Sequence, residues 1–332
     1  MGERNLLVDI YSGDLGGKPN WPAVVAAPNF VGAIIKATES VAFDTSWFKA
    51  QWPAVRAAGG DGYGSTWFRG AYHFLKFNKD GAAQADFYLD TIDAAGGFDV
   101  GDIIPIVDVE LGNDGKPDEH GRVHPRNSNW DASAQQIIDC TSAFAARAKE
   151  RTGQQVMLYG NGAMRDKSIK DRMGCDWLWI PRYTSTLPPE MYQRAGWDLD
   201  RVAMWQYCGD GTASLPGYPN SVDNFGKVDI SVSLLPTLSD FINAICAQVI
   251  TIDQPSASTS DGQSTSAGDG IADADSGSES VGSGDDNNAA DEQTDVGSND
   301  DSASDSDASS GDDSSSESAN EQQVAPVPES TV

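Results

Sequence analysis

The sequence predicts an α/β barrel of eight strands followed by a disordered acidic tail. Three observations support this reading. Eight short apolar segments recur, at 6–10, 31–37, 70–75, 103–109, 155–159, 177–180, 202–206 and 227–230, and eight is the count a closed barrel needs. Stretches with helical spacing separate the early segments, whereas the later ones follow one another closely. Composition then breaks: from Thr251 onward there is no Lys, Arg, aromatic or Cys, and the tail carries −20 of the formal net charge of −28. A chain so polar and like-charged cannot bury enough apolar surface to offset its conformational entropy. The expected domains are a barrel over 1–248 and a Ser/Asp/Gly-rich tail over 249–332.

Taken in order, the first helix spans 44–58, with Asp44 as N-cap and Gly59-Gly60 closing it. Pro53 lies inside and is expected to kink or split it. A second helix over 81–95 places Ala85, Leu89 and Ile92 on one face. The strongest helix spans 131–151, where Ile137, Ile138, Phe144 and Ala148 form a stripe that Gly153 ends. After Tyr159 the linkers look less helical, so the last part of the barrel is expected to lack full helices.

The segment 102–111 organises the chain. It reads Asp-Ile-Ile-Pro-Ile-Val-Asp-Val-Glu-Leu, a buried strand bounded by Gly101 and Gly112. Residues two apart on a strand share a face, so Asp108 and Glu110 point the same way at its C-terminal end. Paired carboxylates there are costly to fold and are the equipment of a glycosidase. Barrel active sites lie at such strand ends. Other polar or aromatic residues fall there too: Asp9, Lys36 and Glu39, Tyr72 and His73, Tyr159, Trp179, Tyr183, Trp205 and Gln206, and Asp229.

Several classes are excluded. No apolar run nears the ~20 residues a membrane helix needs, and no apolar leader segment is visible, so neither membrane insertion nor a signal peptide is expected. No basic patch serves nucleic acid, and no Gly-rich phosphate motif follows a strand. Cys140, Cys175, Cys208 and Cys246 lack zinc spacing and read as buried thiols. His120 and His124 sit in a polar insertion near Pro125, which argues loop rather than metal site. No metal and no cofactor is expected.

Seven segments resemble glycoside hydrolase family 25, the N,O-diacetylmuramidases, which include many phage endolysins. They are Val-Asp-Ile-Tyr-Ser-Gly, Ile-Ile-Lys-Ala-Thr-Glu, Gly-Ala-Tyr-His-Phe, Ile-Pro-Ile-Val-Asp-Val-Glu, Leu-Trp-Ile-Pro-Arg-Tyr, Met-Trp-Gln-Tyr and Val-Asp-Ile-Ser, in family order over roughly residues 5–235. The resemblance implies a flattened barrel of eight strands with about five helices. It implies a lysozyme cleaving the β-1,4 bond between N-acetylmuramic acid and N-acetylglucosamine in bacterial peptidoglycan. Its catalytic residues would be Glu110 as general acid/base, Asp108 stabilising an acetamido-assisted intermediate, and Asp9 as a supporting carboxylate. Tyr72, Tyr159, Trp179, Tyr183, Trp205 and Asp229 would bind substrate. A direct carboxylate nucleophile is the competing mechanism. His73 reads as a hydrogen-bonded structural residue, and Lys36 with Glu39 as a charged rim pair.

The sequence departs from the family at two turns. Asp14-Leu15 stands where Gln or Asn followed by Gly is usual, and Ser40 stands where Gly usually follows Lys-Ala-Thr-Glu. A polar insertion, about 113–129, follows the carboxylate strand. A chitinase-type barrel is disfavoured because Ile106 occupies the position where that motif needs Asp. A non-catalytic wall-binding or virion-attachment barrel is the remaining alternative. The expected setting is host-cell lysis by a phage: a monomer made in the host cytoplasm and acting at the cell wall, its tail a spacer without wall affinity.

Overall fold

The computed structural model describes residues 5–59, 67–117, 123, 125–209, 211–213 and 215–248. The expected tail, His120 and His124 lie outside the described residues. Seven strands run parallel in chain order: β1 Leu6–Ile10, β2 Phe30–Glu39, β3 Phe68–Phe74, β4 Ile106–Asp108, β5 Met157–Tyr159, β6 Trp177–Pro181 and β7 Val202–Gly209. A two-residue strand, β8 Thr212–Ala213, folds back on β7. The barrel is closed by β9, Asp229–Ser233, which inserts antiparallel between β1 and β7. Closure removes every exposed edge from the eight-stranded ring.

Helices cover the outside. They are α1 Trp21–Ala26, α2 Ser46–Gly59, α3 Gly81–Ala94, α4 Ala134–Thr152, α5 Gly162–Asp166, α6 Glu190–Gln193 and α7 Leu238–Ile245. The family resemblance implied about five; α1, α5 and α6 are short, with six, five and four residues. After β5 the outer layer is built from such short pieces, which matches the thin linkers of the sequence. Helix α4 starts at Ala134, three residues later than the expected 131. A reciprocal capping box between Ser133 and Gln136 fixes its N-terminus, and Asp131 ends a separate 3-10 turn, Ser128–Asp131. Gly153 at φ 64 caps its other end. Helix α2 begins at Ser46, whose N–H is taken by the Asp44 carboxylate, and Pro53 is accommodated without ending it.

Strand alternation sorts the side chains into two apolar layers. Leu6, Val8, Ala33, Ile35, Ala71, Val107, Leu158, Ile180, Trp205, Tyr207 and Ile230 face the helices. Leu7, Ile34, Phe68, Ile106, Met157, Trp179, Ala203 and Met204 fill the barrel. Helix α7 closes the end opposite the strand tips: Phe241 packs on Phe68 with ring centroids 5.2 Å apart, and Ala247 exchanges backbone hydrogen bonds with Gly101 and Asp102. All four cysteines are buried free thiols. Among the described residues no helix is long and apolar enough to cross a membrane.

Candidate active site

At the strand tips the inward residues change from apolar to polar. They open into a cleft of about 710 Å³ lined by Asp9, Asp14, Lys36, Tyr72, Asp108, Glu110, Tyr159, Trp179, Tyr183 and Asp229, with Ile10, Tyr11 and Phe74. Asp108 closes β4 and is 4% exposed, while Glu110, two residues on, is half-buried. The Val109 N–H continues the ladder to the Tyr159 carbonyl at 2.9 Å, so both carboxylates face the same cleft. Asp9 lies on β1 directly opposite Asp229 on β9. Because β9 runs backwards, Asp229 is its first residue, yet it reaches the same rim as the C-terminal ends of the parallel strands.

Eight of the nine predicted residues meet here: Asp9, Asp108, Glu110, Tyr72, Tyr159, Trp179, Tyr183 and Asp229. Trp205 does not. It points outward, packs among the residues facing the helices, and donates its indole N–H to the Arg182 carbonyl at 2.7 Å. The inward neighbour is Gln206, 1% exposed. Its Oε1 accepts from the Tyr159 and Tyr183 hydroxyls at 2.7 and 2.8 Å, and its Nε2 donates to Asp9 and Asp229 at 2.9 and 3.1 Å. Trp179 forms part of the cleft floor, edge-on to Tyr159 at 4.5 Å, with its N–H on Ser231.

The electrostatics follow from crowding acids in a low-dielectric mouth. Burial pushes the hydroxyls of Tyr72, Tyr159 and Tyr183 well above the usual phenol range. Asp9, Asp108, Glu110 and Asp229 push in the same direction, each acting on two or more of the three. All three therefore stay neutral. Lys36 is the cation lining the cleft and bonds Glu39 at 2.7 Å; Glu39 also takes Lys76 at 2.8 Å. Burial raises the Glu39 carboxyl, but the two lysines outweigh it and hold it below its usual range. His73 faces away from the cleft. Its ring is fully buried against Phe144 and bonds Thr38 at 2.7 Å and Gln84 at 3.2 Å; burial drives it down to about 3. It is a neutral structural residue.

Asn129, at the end of the polar insertion, is a second residue that pattern reading missed. Fully buried, it accepts from Phe77 N–H and donates to the carbonyls of Leu75 and Glu110, both at 2.8 Å. It ties the exit of β3 to the backbone of Glu110. Both departures from family turns keep the glycine-like backbone: Leu15 has φ 51 and Ser40 has φ 56. Among the described residues no cluster of three or more His, Cys, Asp or Glu is arranged to hold a metal ion.

A family model described as glycosyl hydrolases family 25 matches residues 8–215. The chain belongs to this family. The match takes in Asp9, Asp108 and Glu110 and stops short of Asp229. An uncharacterized protein of Escherichia coli, YegX, is 25% identical over 218 residues, 64% of this chain; the chain spans 63% of that protein's length. Among solved structures, a family 25 glycosyl hydrolase from Bacillus anthracis superposes with a TM-score of 0.52 at 21% identity, covering 73% of this chain and 94% of the other. A family GH25 lysozyme from Aspergillus fumigatus gives 0.53 at 17% identity, covering 74% and 100%. These two similarities establish a shared barrel fold.

Proposed function

We propose that this family 25 glycosidase is a muramidase that cuts the β-1,4 bond between N-acetylmuramic acid and N-acetylglucosamine in peptidoglycan. One observation carries the reading: two carboxylates two residues apart, one closing a buried strand and one just beyond it, enter the mouth of a closed barrel between tyrosine walls. Glu110, the more exposed, is the general acid that protonates the glycosidic oxygen. Asp108, nearly sealed from solvent, stabilises positive charge as the substrate's 2-acetamido oxygen attacks the anomeric carbon; Glu110 then deprotonates the water that opens the intermediate. Asp9 and Asp229 support the site's potential. Tyr72, Tyr159, Trp179 and Tyr183 offer flat apolar faces with polar edges to sugar rings. The site of action is the bacterial wall. Lysis of a host by a phage, with the enzyme made in the cytoplasm and acting as a monomer, is the setting the resemblance to endolysins suggests.

The test is purified protein against purified peptidoglycan, with mass spectrometry of the released ends. Reducing N-acetylmuramic acid ends, lost in a folded Glu110→Gln variant, support the proposal. Wild-type turnover in that variant removes Glu110 from its role. Reducing N-acetylglucosamine ends would change the bond cut. Binding without release would favour a glycan-binding barrel. A covalent sugar adduct on Asp108 would replace acetamido assistance with a carboxylate nucleophile.

A further inference from the structure

We infer that Gln206 is a positioning residue that holds Asp9 and Asp229 together as two ionised carboxylates in the cleft. The argument starts from register. Asp9 and Asp229 face each other on antiparallel β1 and β9, where directly opposed like charges are destabilising. Carboxylates that share a site normally share a proton, with one pKa strongly raised. Here a third strand contributes: β7, on the far side of β9, sends the Gln206 carboxamide to both, and its NH₂ gives one hydrogen to each carboxylate.

The NH₂ faces Asp9 and Asp229, the orientation that suits two ionised carboxylates, which only accept. The oxygen then faces Tyr159 and Tyr183, whose hydroxyls can donate and stay protonated because burial disfavours the phenolate. All four hydrogen-bonding valences of the side chain are thus used, at 1% exposure. The ring of Tyr183 has room because residue 209 is Gly; a Cβ there would come within 2.9 Å of it. A carboxamide satisfied on every side fixes two carboxylates from β1 and β9 relative to two tyrosines from the β5 and β6 side of the cleft.

The deciding experiment is a ¹³Cγ titration of Asp9 and Asp229 by NMR in the native chain and in Gln206→Met. Met fills similar volume and offers neither donor nor acceptor. At least one of the two midpoints should rise by about one unit or more; two unchanged midpoints overturn the inference. If Gln206→Met does not fold, Gln206→Glu preserves volume and the acceptor for both tyrosines. With peptidoglycan as substrate, Gln206→Glu should lose about 100-fold in kcat at neutral pH with KM little altered. It should regain part of that at acid pH, when the new carboxyl protonates and can donate once. A loss equal at every pH would show a merely structural role. The kinetic arm rests on the muramidase reading and the titration does not. A native chain that releases no reducing ends would sink that reading and leave the titration to decide this one.

Discussion

Mild acid should weaken this protein through His73. Gln84 fixes the ring's protonation: its own oxygen accepts from Lys76 N–H and its NH₂ donates to the Lys76 carbonyl, so Gln84 presents an acceptor to His73 Nε2. Nε2 therefore carries the proton, and Nδ1 accepts from the Thr38 hydroxyl. A second proton would charge a ring sealed against Phe144 and Tyr88, and this burial lowers the folded-state value from 6.5 to about 3. The unfolded chain binds that proton near pH 6.5 and the folded chain resists it. The contribution is therefore complete above pH 6.5 and is lost as pH falls toward about 3. At about 1.4 kcal/mol per unit, the loss is about 2 kcal/mol at pH 5 and approaches about 5 kcal/mol near pH 3. That is a large share of the ~5–15 kcal/mol typical of a domain. Urea unfolding of the native chain and of His73→Gln, each at pH 7 and pH 5, measures it. The native chain should lose about 2 kcal/mol more than the variant between the two pH values. At pH 5 Glu39, held low by its lysines, remains mostly charged in both and cancels. Equal losses would refute the reasoning.

Other outcomes follow from single residues. Ser40 at φ 56 bears the left-handed backbone cost of a side chain, so Ser40→Gly should stabilise by about 0.5 kcal/mol and Ser40→Val should destabilise by more than ~1 kcal/mol; thermal melts giving the reverse order would overturn this. Asn129→Ala strands one N–H and two carbonyls in the interior and should cost about 3 kcal/mol. Its kcat on peptidoglycan should fall more than its affinity, because Glu110 loses its backbone tether. Trp205→Phe should leave KM for glycan within twofold or so while lowering stability by about 1 kcal/mol through the lost Arg182 hydrogen bond. A large KM change would return Trp205 to the substrate wall.

The carboxylates were legible in the sequence because strand alternation is a strict rule over a short span: Asp108 and Glu110 needed only the two-residue period. Trp205 enters the expected site through the resemblance and its aromatic ring, not through alternation, and alternation holds there: Met204 and Gln206 face inward while Trp205 and Tyr207 face the helices. A signal for Gln206 did exist, since a single amide in the run Val-Ala-Met-Trp-Gln-Tyr-Cys must find partners when that strand is buried. Asn129 gave no such signal, because polar residues surround it in sequence and only the folded loop buries it. The eighth strand was visible as an apolar segment, but its reversed direction was not; short linkers permit either direction.

That reversed strand also governs how the chain can fold. Leu6 is paired with Val232, and the Ser233 N–H reaches the Asn5 carbonyl, so the first and last strands of the barrel are neighbours across nearly the whole described chain. Contacts so distant in sequence form late, after the entropy of closing the intervening loop has been met. During synthesis β1 can pair with β2 early, but its other edge stays open until residue 233 has left the ribosome. For that interval the Leu-Leu-Val-Asp-Ile strand is a template for any foreign strand. A chain halted just before β9 would keep most of its core yet lack both the staple of the barrel and Asp229, leaving a sticky half-site.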